Sequence, residues 1–335
     1  MPKWCLGRES ASLPRKSRYE VQKSVAAPSS PKTILVIVDP YTDREQPVLS
    51  RAAWLAERFG AHLELFACDY DAEIDSGRVA TVWVPDAGLR EQLLLKHRRQ
   101  LESFAAALRG RRLQVTVNVA WDFPAEEAIV RHVVATRPWL VAKDTHHHTV
   151  LQRTLLSSTD WSLIRDCPAP LLLVKPREVG VQPTVLAAID PVQEHDKPAQ
   201  LDDAIYKFAS ELSEKTGGAL HIMHAISTPL GVQLPPNVQG IVVGEHRRAL
   251  DTFLLKHPVR AENLHVHEGL AHECLQQVAT SQHADFLVMG AVARRGIKRV
   301  LIGSTATRVL DRLPCDLVII KPATFVVPGA QQRGN

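Results

Sequence analysis

A glycine-bearing segment at residues 288–310 has the residue types of a phosphate-binding loop. It reads VMGAVARRGIKRVLIGSTATRVL: an apolar run ends at Gly290, a basic stretch follows, and Gly303, Ser304 and Thr305 open an amphipathic run. Glycines let a backbone approach phosphate closely, and free amides in the first turn of a helix attract anions. The segment predicts a nucleotide or anion site. The alternative is that Ser304 only caps a helix.

The middle of this loop is basic. Arg294, Arg295 and Gly296 lie there, followed by Lys298 and Arg299. Positive side chains next to a helix N-terminus would strengthen the attraction for a phosphate. The alternative is that these arginines form an ordinary solvated face, and the sequence alone leaves both interpretations open.

Histidines form the second group that could do chemistry. His146 and His148 share a side of an extended segment, and Asp144 could join them as a zinc ligand. Consecutive histidines in a loop are more often solvated, so we assign no metal site and do not expect zinc. A second histidine set without a defined fourth ligand comprises His265, His267 and His272.

Motifs of catalysis are missing from the sequence. It contains no GxxxxGK[ST], GxSxG or HExxH pattern and no Asp-rich magnesium cluster. Asp39 and Asp190 each precede a proline as single acids rather than paired carboxylates. We therefore predict a binding protein without catalytic residues, with a weak ATPase as an alternative.

Composition indicates a globular chain. The length of 335 residues suggests about two domains. The residues are 45% hydrophobic and 23% charged, which is ordinary for a globular protein. No apolar run approaches roughly 18 residues and the N-terminus lacks a secretory core, so we predict no membrane span. Five scattered cysteines form no CxxC pair, which argues against a disulfide framework and fits a reducing, cytoplasmic location.

Charge is concentrated at the N-terminus. Residues 1–32 carry seven lysines and arginines against two acids, which leaves residues 33–335 with a net charge of −1 out of the total of +4. A nearly neutral folded part argues against a nucleic-acid-binding face. Residues 1–31, rich in Ser, Pro and basic residues, are predicted to be a disordered basic tail.

The chain repeats itself at an interval of about 150 residues. TILVIVDP (33–40) is matched by TVLAAIDP (184–191), and LLSSTDWSLIRDCPAPLLLVKP (155–176) by LIGSTATRVLDRLPCDLVIIKP (301–322). Two domains of one fold are therefore expected. Their predicted boundaries are 32–176 and 184–325, with a linker at 177–183 and a tail at 326–335.

Short β-rich runs alternate with helical patterns in both repeats. The first repeat predicts strands at 34–39, 62–68, 114–120, 139–143 and 170–175, and helices at 46–59, 87–109, 125–136 and 158–166. The second predicts strands at 184–190, 219–225, 263–268, 285–290 and 316–321, and helices near 199–216, 245–257, 270–282 and 304–312. The fold class is α/β, with two tandem five-stranded doubly wound parallel-sheet domains. Ligands are expected at the carboxyl ends of strands, at a switch point.

These features resemble the universal stress protein family, whose fold is adenine-nucleotide alpha-hydrolase-like. The resemblance rests on the Asp-ended first strand, the Gly…Gly-Ser loop and the Lys-Pro final strand, and covers about residues 32–325. The family loop is Gly-x₂-Gly-x₉-Gly-Ser/Thr, which maps onto Gly290, Gly303 and Ser304. Ala293 stands at the second glycine. The resemblance implies ATP or another adenine nucleotide with Mg as the ligand.

The resemblance also implies roles for other residues. Asp190 resembles the family acid near the adenine, while an Asx turn before Pro191 is its alternative role. In the first repeat Lys143 is aligned with Gly290 and Ser157 with Gly303, with no glycine between them, so we expect no phosphate cradle there.

The family's single-domain members pair through their last strands. LLLVKP and LVIIKP are therefore the candidates for an internal pseudo-dimer contact, and a further homodimer is conceivable. The implied function is a cytoplasmic, non-enzymatic stress-survival factor whose second domain binds a small phosphorylated ligand. A lipid-like or other amphipathic metabolite is the alternative ligand.

Overall fold

The computed structural model describes most of the chain beyond the N-terminal tail. It covers residues 31–42, 46–76, 88–145, 156–192, 200–227, 234–291, 313 and 315–327, together with the backbone of four two-residue strands. Residues from Lys32 onward form one compact unit. Residues 1–30 of the predicted tail and the predicted helix at 304–312 lie outside the described residues.

The described part of the first repeat contains nine strands, four of them only two residues long, and five helices. In chain order they are β1 (Thr33–Ile37), α1 (Pro47–Phe59), β2 (His62–Asp69), α2 (Ala72–Ser76), β3 (Arg78–Val79), β4 (Val82–Trp83), α3 (Leu89–Gly110), β5 (Val115–Trp121), α4 (Ala125–Thr136), β6 (Leu140–Asp144), β7 (His147–His148), β8 (Arg153–Thr154), α5 (Ser158–Asp166) and β9 (Leu171–Val174).

The described part of the second repeat follows the same plan. Its elements are β10 (Thr184–Ala188), α6 (Gln200–Thr216), β11 (Ala219–Ile226), α7 (Pro236–Lys256), a 3₁₀ turn (Ala261–Asn263), β12 (Leu264–Glu268), α8 (Ala271–Ser281), β13 (Phe286–Gly290) and β14 (Asp316–Ile320).

Ten strands join into one sheet with the order β12-β11-β10-β13-β14-β9-β6-β1-β2-β5. All neighbours are parallel except β14 and β9, which pair antiparallel with Val318 opposite Leu172. The predicted contact between the last strands is therefore confirmed. In this sheet β1 lies between β2 and β6, and β10 lies between β11 and β13. The predicted doubly wound fold is therefore confirmed too. The switch points are at β1–β6 and β10–β13.

Helices cover both faces of the sheet, which is why its central strands are apolar on both sides. One core packs α1, α3, α6 and α7 against the sheet, and the other packs α4, α5 and α8. Each core draws residues from both repeats. Trp54 of α1 stacks on Phe286 of β13 with ring centroids 6.1 Å apart, and Trp139 stacks on Phe208 at 5.6 Å. Apolar side chains of the two repeats are thus buried against each other.

A charged cluster also joins the repeats. The fully buried Asp316 accepts a hydrogen bond from the Arg51 guanidinium and one from the Lys175 backbone amide at 3.0 Å. The second arm of Arg51 donates to the Arg177 carbonyl at 2.7 Å. Burial lowers the pKa of Arg51 to about 10, which still leaves it charged at neutral pH.

The two Lys-Pro strand ends make reciprocal contacts across the repeats. The Lys175 ammonium donates to the Leu313 carbonyl of the second repeat, and the Lys321 ammonium donates to the Arg165 carbonyl of the first at 3.0 Å. Because each acceptor carbonyl belongs to the other repeat, each lysine fastens the end of its own strand across the repeat boundary. The repeated Lys-Pro motif therefore has a structural role at this junction.

The predicted start of one helix was wrong. We predicted 245–257, whereas α7 begins at Pro236. Proline fits the first turn because its missing N–H has no intrahelical partner there. Gly240 and Gly244, which weaken helical propensity, lie in the added turns. By contrast, the boundaries predicted for α4 (125–136) and α5 (158–166) are confirmed.

Candidate functional site

Strand pairing fixes which residues of the two repeats correspond. Leu140 pairs with Ile34 in the first repeat, and Phe286 pairs with Val185, the counterpart of Ile34, in the second. Counting along the strands, Asp144 corresponds to Gly290. The sequence alignment that put Lys143 at that position was wrong by one residue, because the register of a short strand cannot be read from its composition.

Asp190 and Gly290 are brought together at the second switch point. Ala187 of β10 lies opposite Val288 of β13, so the ends of these two strands are adjacent. The Asp190 amide donates to Asp202 Oδ1 at 3.1 Å, which anchors the turn to α6. The Asp190 carboxylate makes no hydrogen bond to another residue in the described ranges. This end of the sheet thus carries one carboxylate, that of Asp190, next to a glycine without a side chain, Gly290.

Gly290 packs closely against α6. A Cβ atom on Gly290 would lie 2.7 Å from Leu201 Cδ2 and 3.2 Å from Ile205 Cδ1, both on α6. The helix therefore approaches the strand end more closely than a side chain would allow without rearrangement.

A buried histidine pair supports the second switch point, and sequence reasoning missed it. His224 Nδ1 lies 3.2 Å from the Ile189 carbonyl, which can only accept, so Nδ1 carries the proton. His224 Nε2 then accepts from His246 Nδ1 at 2.8 Å. Burial lowers the pKa of His224 and keeps it neutral. The pair holds the backbone just before Asp190.

The other predicted loop residues cannot be compared with the structure. Arg294, Arg295, Gly296, Gly303, Ser304 and Thr305 lie outside the described residues, as do His146 and the side chain of His148. In the described ranges no group of three or more His, Cys, Asp or Glu side chains is placed to hold a metal. His265 Nε2 instead lies 2.9 Å from His221 Nδ1, with the two rings stacked in parallel.

The first switch point holds a cavity of about 530 Å³. It lies at the carboxyl ends of β1 and β6, where the fold expects a ligand. The lining combines apolar, acidic and hydroxyl side chains, among them Ile37, Val38, Asp39, Pro47, Asp144, Ser157 and Thr159. The sequence predicted ligands at the switch points of the doubly wound domains and argued only against a phosphate cradle in this one, because its loop has no glycine.

The Asp160 carboxylate occupies the N-terminus of α5, next to this cavity. Ser157 caps α5: its Oγ accepts from the Asp160 amide at 3.1 Å, and Asp160 Oδ2 accepts from the Ser157 amide at 2.7 Å. Lys143 Nζ donates to the other oxygen of Asp160 at 2.7 Å. Asp160 is fully buried. The position that would attract a phosphate is thus already neutralised by an internal ion pair.

Asp144 adds a second carboxyl group. Its Oδ1 accepts from the Val48 amide in the first turn of α1 at 2.7 Å. Burial raises the pKa of Asp144 to about 7, and the nearby Asp160 charge acts in the same direction. Where the second repeat has a bare glycine, the first therefore has an acid that titrates near neutrality.

Replacing Asp144 by asparagine should change how stability depends on pH. A carboxyl group whose pKa is raised in the folded state favours folding at low pH, and this contribution is lost as pH rises from about 4 to about 7. We expect the asparagine variant to gain about 2 kcal/mol relative to the wild type between pH 5 and pH 8 in urea unfolding. Glu57→Gln, at an exposed pair with Arg111, should show no such difference. Parallel pH profiles for wild type and Asp144→Asn would contradict the assignment.

The wall of the cavity after β1 is tied down by polar contacts. The Gln46 side chain makes two hydrogen bonds to the Asp39 backbone. Its Oε1 accepts from the Asp39 N–H at 2.9 Å, and its Nε2 donates to the Asp39 carbonyl at 3.0 Å. Asp39 Oδ1 accepts from the Tyr41 amide, an Asx turn. The Tyr41 hydroxyl reaches the buried Asp69, which also bonds His97 at 2.5 Å. Asp39 thus has the structural role considered for its counterpart Asp190.

Comparisons with known proteins agree with this architecture. The family model for the "Universal stress protein family" matches residues 31–175 and 184–321. Universal stress protein E of Escherichia coli K12 is 29% identical over 307 residues, covering 89% of this chain and 96% of its own. The described part of the chain has no helix long and apolar enough to span a membrane.

Solved structures show the same tandem arrangement. A functionally unknown protein from Pseudomonas aeruginosa PAO1 aligns with a TM-score of 0.70 and 26% identity, over 88% of this chain and 93% of that one. A universal stress protein from Archaeoglobus fulgidus DSM 4304 shares the fold with a TM-score of 0.63 at 17% identity, over 86% and 98%. With a family match over both repeats, this chain belongs to the universal stress protein family and carries two of its domains in tandem.

Proposed function

We propose that this tandem universal stress protein is a cytoplasmic, non-enzymatic stress-survival factor whose second domain binds a phosphorylated ligand. ATP or another adenine nucleotide with Mg is the first candidate. The binding residues would be Asp190 and Gly290 together with the loop residues Arg294, Arg295, Gly296, Gly303, Ser304 and Thr305. The observation that carries the proposal is the contrast between Gly290 and its counterpart Asp144.

Electrostatics at the two strand ends favours the second domain. A phosphate entering the first switch point would meet the Asp144 carboxylate, whose charge repels it, while the nearby Lys143 is already neutralised by its pairing with Asp160. At the second switch point Gly290 contributes no side chain, and the following loop is basic in sequence. An anion is therefore better accommodated in the second domain.

Asp190 fits the remaining part of such a ligand. Its backbone is held by Asp202, and the His224–His246 pair fixes the preceding residue, so the carboxylate has a defined position at the strand end. A carboxylate at a strand end can accept from an exocyclic amine or a ribose hydroxyl. Magnesium would be held largely through the phosphates and water.

Ligand-induced thermal stabilisation tests the proposal. ATP with magnesium at millimolar concentration should raise the melting temperature of the full chain, because a ligand that binds only the folded state stabilises it. Ser304→Ala should weaken apparent affinity by about tenfold, the value of one hydrogen bond to a charged group. Ser158→Ala, the equivalent change in the first repeat, should leave the shift intact.

The same samples separate binding from catalysis. We expect no release of inorganic phosphate above the rate of an ATP blank. An absent thermal shift in the wild-type protein, or an equal loss in both serine variants, would contradict a phosphate site in the second domain. Sustained turnover abolished by Asp190→Asn would contradict the non-enzymatic assignment.

A further inference from the structure

We propose that the first-domain cavity binds a small organic cation, an ammonium group carried on a compact apolar body. The site is separate from the phosphate site proposed for the second domain and does not depend on it. Its basis is the combination of a half-open pocket at a switch point of the sheet, acidic groups without a matching free base among the described lining residues, and apolar walls.

The charges around the cavity favour a cation. Asp39 and Asp144 are the acids among its described lining residues, and Lys143 is the one base. The Lys143 ammonium is already bound to Asp160 Oδ1 at 2.7 Å and to the Asp144 carbonyl at 3.0 Å. The pairing of Lys143 with Asp160 cancels both charges, so the described lining has a net negative charge when Asp144 is ionised.

Asp144 is the group that would meet the ammonium. One of its oxygens accepts from the Val48 amide, while the other has no hydrogen-bond partner among the described residues. The cations nearest to it are committed elsewhere, since Lys143 pairs with Asp160 and Arg51 with Asp316. A ligand ammonium would supply the missing donor and the missing charge together.

Apolar side chains form much of the remaining wall. They come from β1 and the segment after it, from α1 and α4, and from the segment after β9, and comprise Ile37, Val38, Pro40, Pro47, Ile129 and Pro176. A volume of about 530 Å³ lies within the usual range for small-molecule sites. Such walls suit an aryl or alkyl group, and the ionised acids beside them would repel a phosphate or carboxylate.

Three probes of nearly equal size distinguish charge from shape. In calorimetric titration of the full chain at pH 8, 2-phenylethylamine should bind more tightly than 2-phenylethanol, and 3-phenylpropionate should bind least. Asp144→Asn should weaken the amine at least tenfold while changing the alcohol less than about twofold, because it keeps an acceptor for the Val48 amide. Glu57→Gln should change neither.

The affinity for the amine should also fall at pH 5.5. The pKa of Asp144 near 7 means that the carboxylate is protonated there, and the facing groups Lys143, Arg51 and Asp160 are held in ion pairs. Unchanged alcohol binding by Asp144→Asn shows that the cavity is intact. Equal binding of amine and alcohol, preference for the carboxylate, or no binding of any probe would overturn the proposal. ATP-induced stabilisation would be unaffected by any of these results.

Discussion

Replacing Asp316 by alanine is expected to lower the free energy of unfolding by about 3–5 kcal/mol. Asp316 is fully buried and accepts from Arg51 and from the Lys175 amide. Its removal leaves a buried guanidinium without its carboxylate and a buried N–H without an acceptor. Urea unfolding of the full chain, followed by circular dichroism, measures the change.

The matched control is an exposed ion pair of the same chemical type. Arg131 pairs with Asp122 at 2.5 Å, with both side chains more than 40% exposed. Arg131→Ala should therefore cost less than about 1 kcal/mol. A loss below 1 kcal/mol for Asp316→Ala would show that the cluster between the repeats contributes little, and would contradict its role in holding the two domains together.

Asp160→Ala should be the most damaging change in the first-domain site, costing about 3–5 kcal/mol. Asp160 is fully buried, pairs with Lys143 and caps the first turn of α5 through Ser157. The variant leaves the Lys143 ammonium buried without its acid and the Ser157 amide without its acceptor. Equilibrium unfolding again provides the measurement.

A double-mutant cycle separates the ion pair from the cap. Lys143→Met removes the buried charge, so Lys143→Met combined with Asp160→Asn should lose at least about 1.5 kcal/mol less than the sum of the single changes. Ser158→Ala, a first-turn position of α5 next to the cap, serves as a neutral reference. Additive losses would mean that Asp160 stabilises the helix end alone and does not neutralise Lys143.

The fold followed from the sequence because its signals were local and duplicated. Alternating β-rich and helical runs occur twice with the same Asp-Pro and Lys-Pro ends, so each repeat supported the interpretation of the other. The pairing of LLLVKP with LVIIKP came from family resemblance and is confirmed by Leu172 opposite Val318. The early start of α7 was missed because a proline and two glycines weaken the helical pattern.

The site was less predictable because its contacts are between residues far apart in the chain. Lys143 was aligned one residue away from its true counterpart, and its partner Asp160 lies 17 residues further along. The His224–His246 contact spans 22 residues and has no sequence motif. The first-domain loop contains no glycine, so it carries no sequence signal for the cavity that lies beside it. The first-domain site is marked by two acids, the partly buried Asp144 and the fully buried Asp160. Which acids are buried depends on tertiary packing and cannot be read from the sequence.

We propose that the two domains have diverged, so that only the second binds a phosphorylated ligand. The most direct measurement is the stoichiometry of ATP and magnesium bound per chain, by calorimetric titration of the wild type and of the Ser304→Ala and Ser158→Ala variants. We expect one nucleotide per chain, with affinity reduced in Ser304→Ala and unchanged in Ser158→Ala. Two nucleotides per chain, no binding, or a site sensitive only to Ser158→Ala would contradict the account.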